Sequence, residues 1–200
     1  MDEEVEKEEL LIQEEAYLLS GVHIGTRQKS SDMKRFIYRV RDDGLYLLNV
    51  KETDRRIKLA ALFLNRYPPE RAMIISSRQY GQKPAKLFAQ LIGANAILGR
   101  FTPGTFTNPD FNGYMEPDIV VLTDPLMDFQ ALKESVDVGI PVIGICDTNN
   151  DLKNLDLAIP ANNKGRKSLA LIYFLLTREV LRNRGQELEL KEEDFEETFE

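Results

Sequence analysis

The sequence feature that most constrains the fold is a regular alternation of short apolar segments with amphipathic helical ones. Apolar segments suited to strands lie at 72–75, 96–98, 119–122, 142–146 and 157–159. Segments with helical periodicity precede, separate or follow them at 52–66, 83–92, 126–138 and 166–183. Glycine follows several of these helical segments, as expected where a helix ends in the left-handed conformation. The alternation predicts an α/β domain with a parallel sheet sandwiched by helices.

The first fifty residues follow a different pattern. Apolar residues at helical spacing predict a helix over about 8–20, ended by Gly21. Residues 22–35 lack apolar periodicity and are expected to form a long basic loop. The apolar segments 36–40 and 45–50 flank an Asp-Gly pair, which predicts a β-hairpin-like extension.

Charge is distributed unevenly along the chain, whose net charge is −7. Residues 1–16 and residues 186–200 each hold eight acids and one Lys, so residues 17–185 carry 24 Lys and Arg against 17 Asp and Glu. A basic body between acidic ends is suited to contact phosphates. We therefore divide the chain into an acidic N-terminal segment (1–9), a single α/β domain (10–184) and an acidic C-terminal tail (185–200), which we expect to be disordered and solvated.

Other features indicate a cytoplasmic protein. The longest apolar run, residues 169–176, is shorter than the roughly 20 residues that span a bilayer. The first four residues, Met1-Asp2-Glu3-Glu4, lack the basic and apolar regions of a secretory signal. The single cysteine, Cys146, rules out an intramolecular disulfide, and its apolar neighbours favour a buried, inert thiol over a nucleophile.

The sequence lacks the common catalytic and metal-binding motifs. The sequence contains no glycine motif for a dinucleotide or a phosphate loop, and no nucleophile elbow. Its only histidine is His23, so no histidine pair can bind a metal. A calcium-loop pattern begins at 147–151 but fails at Leu152 and Ala158, where Gly and Glu are required. We predict no catalytic residue, no metal and no cofactor.

Polar residues follow three of the predicted strands, and they leave two interpretations open. They are Ser76-Ser77-Arg78, Thr123-Asp124 and Asp147-Thr148-Asn149. Ligands of open α/β sheets bind beyond the carboxyl ends of the strands, so an enzyme acting on a phosphorylated metabolite could use Ser76, Asp124 and Asp147. Turn and helix-cap roles explain the same residues, and we favour them.

Two basic clusters are candidates for RNA binding. The first comprises Arg27, Lys29, Lys34, Arg35, Arg39 and Arg41. The second comprises Lys164, Arg166 and Lys167 at the start of the last helix, where backbone N–H groups favour anions. Weaker candidates are Arg78, Arg100 and Asn108. The alternatives are a solvated charged loop for the first cluster, and for the second an Asn163 that only caps the helix. Phe101 and Phe106 either stack on bases or, as we favour, anchor their loop to the core.

Six motifs in a fixed order over about residues 10–184 identify a family. They are Gly21-Val22-His23-Ile24-Gly25, Gly44-Leu45-Tyr46, Ser76–Gly81, Gly99–Pro109, Cys146-Asp147-Thr148-Asn149 and Ile159–Ser168. Together they resemble the small-subunit ribosomal protein S-two family of the archaeal and eukaryotic type, whose eukaryotic members are also called the laminin-receptor precursor. The chain lacks the helical hairpin insertion of bacterial members and the extended C-terminal tail of eukaryotic ones, which favours the archaeal type.

This resemblance implies a flavodoxin-like domain that is not an enzyme. It implies a structural role in small-subunit assembly and translation on the cytoplasmic ribosome. The implied partners are small-subunit ribosomal RNA and neighbouring small-subunit ribosomal proteins, with no membrane and no small-molecule substrate. Two alternatives are a small Rossmann-like enzyme, which requires a pocket with convergent polar groups and perturbed pKa values, and an adaptor that binds proteins through its acidic tails.

Overall fold

The computed structural model describes residues 10–196, in which helices and strands alternate. The α-helices are α1 (Glu14–Ser20), α2 (Val50–Leu64), α3 (Gln79–Ile92), α4 (Phe129–Val138) and α5 (Arg166–Asn183). The strands are β1 (Ile37–Val40), β2 (Tyr46–Leu48), β3 (Ala72–Ser76), β4 (Asn95–Leu98), β5 (Ile119–Leu122), β6 (Val142–Cys146) and β7 (Leu157–Pro160). Short 3-10 helices occur at Asp32–Phe36, Pro69–Arg71 and Glu192–Phe195.

Five strands form a parallel sheet in the order β4-β3-β5-β6-β7. This is the strand order of the flavodoxin-like fold, so the predicted fold class is confirmed. Every residue of β3, β5 and β6 is buried, because helices or loops cover both faces of the sheet. The continuous apolar runs in the sequence are the direct result of this double burial.

Alternate residues of each strand enter two different cores. Ile74 and Val121 face the side covered by α2, α3 and α5. Ile75 and Leu122 face the side covered by α4 and the segment that contains Phe101 and Phe106. Farther along this second side, the 3-10 helix at Asp32–Phe36 packs against Cys146. The thiol is fully buried, as predicted, and burial raises its pKa.

Helix boundaries depart from the predictions at three N-terminal ends. The first helix begins at Glu14, not near residue 8, although residues 1–9 lie outside the described part of the chain. Helix α3 begins at Gln79, four residues early, and accommodates Pro84 in its interior. Helix α4 begins at Phe129, not 126, because the preceding residues form a turn held by Asp128. The C-terminal ends of α1, α3, α4 and α5 agree, with left-handed glycines after the first three of these, whereas α2 ends at Leu64, two residues early.

Helix α1 is attached to the domain by one buried carboxylate on α2. The Tyr17 hydroxyl donates to Asp54 Oδ1 at 2.8 Å, and the Leu11 N–H donates to the same oxygen at 2.7 Å. Lys58 approaches Asp54 Oδ2 at 2.9 Å. Tyr17 is fully buried and Asp54 is 2% exposed, so neither has access to water as a replacement partner. Burial and the hydrogen bond to Asp54 raise the pKa of Tyr17.

The C-terminal segment differs from the expected disordered tail. Residues 192–195 form a 3-10 helix, and Phe195 is fully buried against the α3 and α5 side of the core. Residues 197–200 lie outside the described part of the chain. Within residues 10–196 no helix has the length and hydropathy needed to cross a membrane.

Replacing Asp54 by Ala should destabilise the domain by about 2–4 kcal/mol, because a buried hydroxyl and a backbone N–H lose their acceptor. Urea unfolding measures the change. Glu52→Ala is the matched control, since the half-buried Glu52 lies on the same helix and pairs with the exposed Arg55 and with Arg56. A cost of only about 0–1 kcal/mol is expected for it. Equal losses for the two variants would show that Asp54 does not anchor α1.

Candidate RNA-binding surface

Side chains of this chain bridge the strand ends at which open α/β sheets bind ligands. The strand order reverses between β3 and β5, and Arg78 and Asp124 lie just beyond the carboxyl ends of these strands. Arg78 Nε donates to Asp124 Oδ2 at 2.7 Å, and Nη2 lies 2.5 Å from the same oxygen. Asp124 is 1% exposed, and its Oδ1 accepts from Asn150 Nδ2 at 2.8 Å. The ion pair thus connects two strand ends with the loop after β6.

A second buried carboxylate, Asp128, closes the turn between β5 and α4. Its Oδ1 accepts from the Ser77 N–H at 2.9 Å, and its Oδ2 accepts from the Asp124 N–H at 3.1 Å. Burial raises the pKa of Asp128 to about 6, although these hydrogen bonds and that of the Ser77 side chain act in the opposite direction. Both oxygens accept hydrogen bonds from backbone N–H groups, so this carboxylate stabilises the turn.

The polar network continues to the start of α5. Asn150 Oδ1 accepts from the Asp147 N–H at 2.8 Å and from Asn163 Nδ2 at 3.2 Å. Lys164 Nζ lies 2.5 Å from Asp147 Oδ2 and donates to Asn149 Oδ1 at 2.9 Å. Asn163 is therefore inside this network and does not cap the helix as the alternative supposed. Asn162 Oδ1 instead accepts from the N–H groups that precede α5.

The three residues required by the enzyme alternative have structural partners. Ser76 is fully buried and its hydroxyl donates to the carbonyl of Arg78, while Asp124 and Asp147 are each 1% exposed and ion-paired. An open cleft of about 490 Å³ does lie beside Ser77, Arg100 and Asp128. In the described part of the chain, no group of three or more His, Cys, Asp or Glu is arranged to hold a metal ion.

The same loop after β6 holds the predicted basic loop in place. Thr148 Oγ1 accepts from the Thr26 N–H at 2.9 Å and donates to the Gln28 carbonyl at 2.9 Å. The Ser30 hydroxyl donates to the Asn150 carbonyl at 2.7 Å. Gly25 is required at the contact, because a Cβ there would lie 2.4 Å from Thr148 Cγ2. The basic loop is thus a fixed part of the domain along this stretch.

The basic loop and the hairpin form one continuous surface. The Gly25 N–H donates to the Tyr46 carbonyl, the Tyr46 N–H donates to the Thr26 carbonyl, and Ile24 forms a bridge with Leu47. Three segments therefore lie side by side in this small sheet, in the order of the segment around Ile24, then β2, then β1. Beyond it the 3-10 helix at Asp32–Phe36 continues the same surface.

All six cations of the first predicted cluster are exposed on this surface. They are Arg27, Lys29, Lys34, Arg35, Arg39 and Arg41. Three of them make contacts within the domain: Lys29 Nζ lies 4.9 Å from the Tyr46 ring centroid, the Arg35 guanidinium lies 4.8 Å from that of Phe36, and Arg41 pairs with Asp43 at 3.1 Å. These contacts orient the cations without burying them, so their charges remain accessible.

Two residues that the sequence did not single out join this surface. Lys153, from the loop after β6, lines an open cleft of about 750 Å³ together with Lys34 and Arg35. Tyr38 is 71% exposed and occupies a β-bulge in β1, between the paired residues Ile37 and Arg39. No local signal identifies Lys153, because its contact with the cluster depends on the packing of distant segments.

The second predicted cluster is only partly accessible. Lys164 is held by Asp147, as described above, and Arg166 Nη2 lies 2.7 Å from Glu196 Oε1. Lys167 is exposed beside them. All three cations therefore lie at the start of α5, but Lys164 and Arg166 form ion pairs with carboxylates.

The weaker candidates occupy different situations. Arg100 and Asn108 are exposed in the irregular segment, whereas Arg78 is held by Asp124.

Phe101 and Phe106 of the irregular segment are buried, and they pack edge to face with 5.1 Å between ring centroids. This confirms that they anchor the segment to the core. Its backbone is fixed by Glu134, whose oxygens accept from the N–H groups of Gly104 and Phe106; hydrogen bonding lowers the pKa of Glu134 despite its burial.

Titration of Asp128 should make stability fall as pH rises between about 4 and 6. The folded-state pKa is raised, so in this window the folded chain keeps a proton that the unfolded chain has released. The contribution reaches at most about 3 kcal/mol. Urea unfolding from pH 4.5 to 7.5 should show a component that Asp128→Asn removes. Asp137→Asn, at an exposed position of α4, is the control and should leave the pH dependence unchanged. Parallel curves for wild type and Asp128→Asn would contradict the assignment.

Comparison with known proteins gives consistent matches. The family described as "Ribosomal protein S2" matches residues 110–182. The chain is 58% identical over 193 residues to the small ribosomal subunit protein uS2 of Methanoregula boonei, covering 96% of this chain and 95% of that protein. It is 59% identical over 187 residues to the uS2 of Haloquadratum walsbyi, covering 92% of this chain and 67% of that protein. The chain therefore belongs to the ribosomal protein S2 family, in its archaeal type.

Proposed function

We propose that this protein is a structural constituent of the small ribosomal subunit that binds ribosomal RNA through the surface formed by its basic loop and hairpin. Membership of the ribosomal protein S2 family makes the chain a ribosomal structural protein of the cytoplasm and not an enzyme. The observation that carries the RNA-binding part is the display of six exposed cations on one fixed surface.

The proposed contacts are mainly with phosphates. Cations at fixed positions recognise the spacing of a folded RNA backbone, and this mode depends on shape more than on base sequence. A footprint of about 6–10 phosphates should lose roughly 10³–10⁵ in affinity between about 50 and 200 mM salt, if the rule for duplex DNA applies. The acidic ends explain how such a protein has a net charge of −7.

The proposed residues divide by role. Direct contacts are assigned to the first cluster, to Lys167, and to Arg100 and Asn108 in the irregular segment. Arg166 contributes when its carboxylate partner is displaced. Arg78 and Lys164 are proposed to act near the RNA mainly by holding their loops, because each pairs with a buried carboxylate. We further propose that residues 10–184 form the single RNA-binding domain, against whose core the acidic C-terminal segment packs through Phe195.

Neighbouring small-subunit proteins are the second proposed class of partner. Large apolar side chains are exposed together where α4 begins: Leu126 is 58% exposed, Met127 55% and Phe129 61%. Exposed apolar groups of this kind are typical of protein interfaces. Arg100 lines a cleft with Met127, and Lys153 lines one with Leu126 and Phe129. The proposed protein contacts therefore adjoin the proposed RNA-binding surface.

Replacing Lys34 and Arg35 together by Ala should weaken binding to the protein's own small-subunit RNA broadly. Loss of two phosphate contacts should reduce the slope of log affinity against log salt by about 1.4–1.8. The measurement is a set of binding isotherms at several salt concentrations.

The matched control replaces Lys86 and Lys133 by Ala, which removes the same charge from exposed positions of α3 and α4. This control should keep the wild-type slope. An unchanged affinity and slope for the Lys34 and Arg35 variant would remove this patch from the proposed RNA surface. An equal decrease in both variants would show that only the overall charge matters.

A further inference from the structure

The acidic C-terminal segment lies against the start of α5. Phe195 is fully buried and its ring centroid is 5.9 Å from that of Phe174. The next residue, Glu196, receives a hydrogen bond from Lys83 Nζ to its backbone carbonyl at 2.6 Å. Its side-chain Oε1 lies 2.7 Å from Arg166 Nη2. A buried aromatic side chain thus positions a carboxylate on a cation that belongs to the second basic cluster.

The start of α5 has the properties of an anion site. It begins with Arg166 and Lys167, has no acidic residue in its first turn, and has no side-chain cap at Gly165. Cations at a helix N-terminus oppose the helix dipole unless an anion lies between them and the backbone. Glu196 places a carboxylate on Arg166 at this end of the helix. Glu192 lies nearby: burial and the charge of Glu196 raise the pKa of Glu192, whereas Lys167 acts to lower it.

We propose that the start of α5 is an exchangeable anion site, occupied by the Glu196 carboxylate in the free protein and by an RNA phosphate in the complex. The inference rests on the proposed RNA-binding function and deepens it. It makes the C-terminal segment an intramolecular competitor of RNA, in which one carboxylate takes the position of one phosphate.

The contacts make the exchange feasible without unfolding the segment. Arg166 is 42% exposed and Glu196 is 23% exposed, so their ion pair is reachable by solvent and contributes little to stability. Phe195 remains as the anchor when the Glu196 side chain rotates away, because the anchor and the competing group are different residues. A backbone phosphate of RNA carries the same single negative charge as a carboxylate, and it can form bidentate contacts with a guanidinium.

The test is Glu196→Gln, which removes the competing charge and keeps the size of the side chain. Affinity for the protein's own small-subunit RNA at low salt should rise about two- to five-fold, the range that corresponds to an exposed ion pair. The slope of log affinity against log salt should steepen by up to about 1, because Arg166 gains a phosphate. Glu189→Gln is the matched control: it makes the same charge change in the same segment, at an exposed position, and should change affinity much less.

A double-mutant cycle with Arg166→Gln identifies the site. If Glu196 competes through Arg166, the gain from Glu196→Gln disappears when Arg166 is already replaced. A gain that persists in that background, or an equal gain for Glu189→Gln, overturns the proposal in favour of a general charge effect.

The Lys34 and Arg35 variant separates failure of this inference from failure of the proposed function. If that variant binds weakly while Glu196→Gln binds like the wild type, RNA binding stands and the exchange site is wrong. If neither variant differs from the wild type, the RNA surface itself is wrong. Equal urea midpoints for wild type and Glu196→Gln confirm that the comparison is between equally folded proteins, and Glu196→Ala repeats the test if they differ.

Discussion

Burial of the parallel sheet on both faces is the constraint on which the rest of the structure depends. It leaves only the ends of the strands for polar residues, and polar groups buried there must find partners within the protein. In this chain Asp124, Asp128 and Asn150 supply these partners and accept or donate hydrogen bonds across several loops. The buried carboxylates at the edge where many α/β proteins bind a ligand are thus engaged by the chain's own groups.

The same edge also determines where the cations lie. The loop after β6 forms hydrogen bonds on one side with the buried network and on the other side with the basic loop through Thr148. Because the basic loop is attached at Thr26 and Ser30, its charged side chains project from a backbone of defined path. Folding of the core and placement of the proposed RNA-binding surface are therefore parts of one process, and the basic loop should lose little conformational entropy on binding.

Much of the fold could be predicted from the sequence, because double burial imposes continuous apolar runs whose ends coincide with the strands. The segment 119–122 was predicted with the bounds that β5 has in the structure. The N-terminal ends of helices were less predictable, since the start of α4 depends on a tertiary hydrogen bond from Ser77 to Asp128. The sequence indicates which cations belong to the candidate site, but it does not indicate which of them form ion pairs. Nothing local in the sequence indicates that Lys164 faces Asp147 or that Arg166 faces Glu196.

The bulge at Tyr38 has a consequence for the free protein. Strand β1 pairs only with β2 among the described residues, so its outer edge offers unpaired backbone groups to any other strand. A bulge interrupts the regular spacing of those groups, and the flanking Arg39 and Arg41 add like charges that repel a second copy. An irregular, cationic edge should therefore disfavour intermolecular sheets between copies of the free protein.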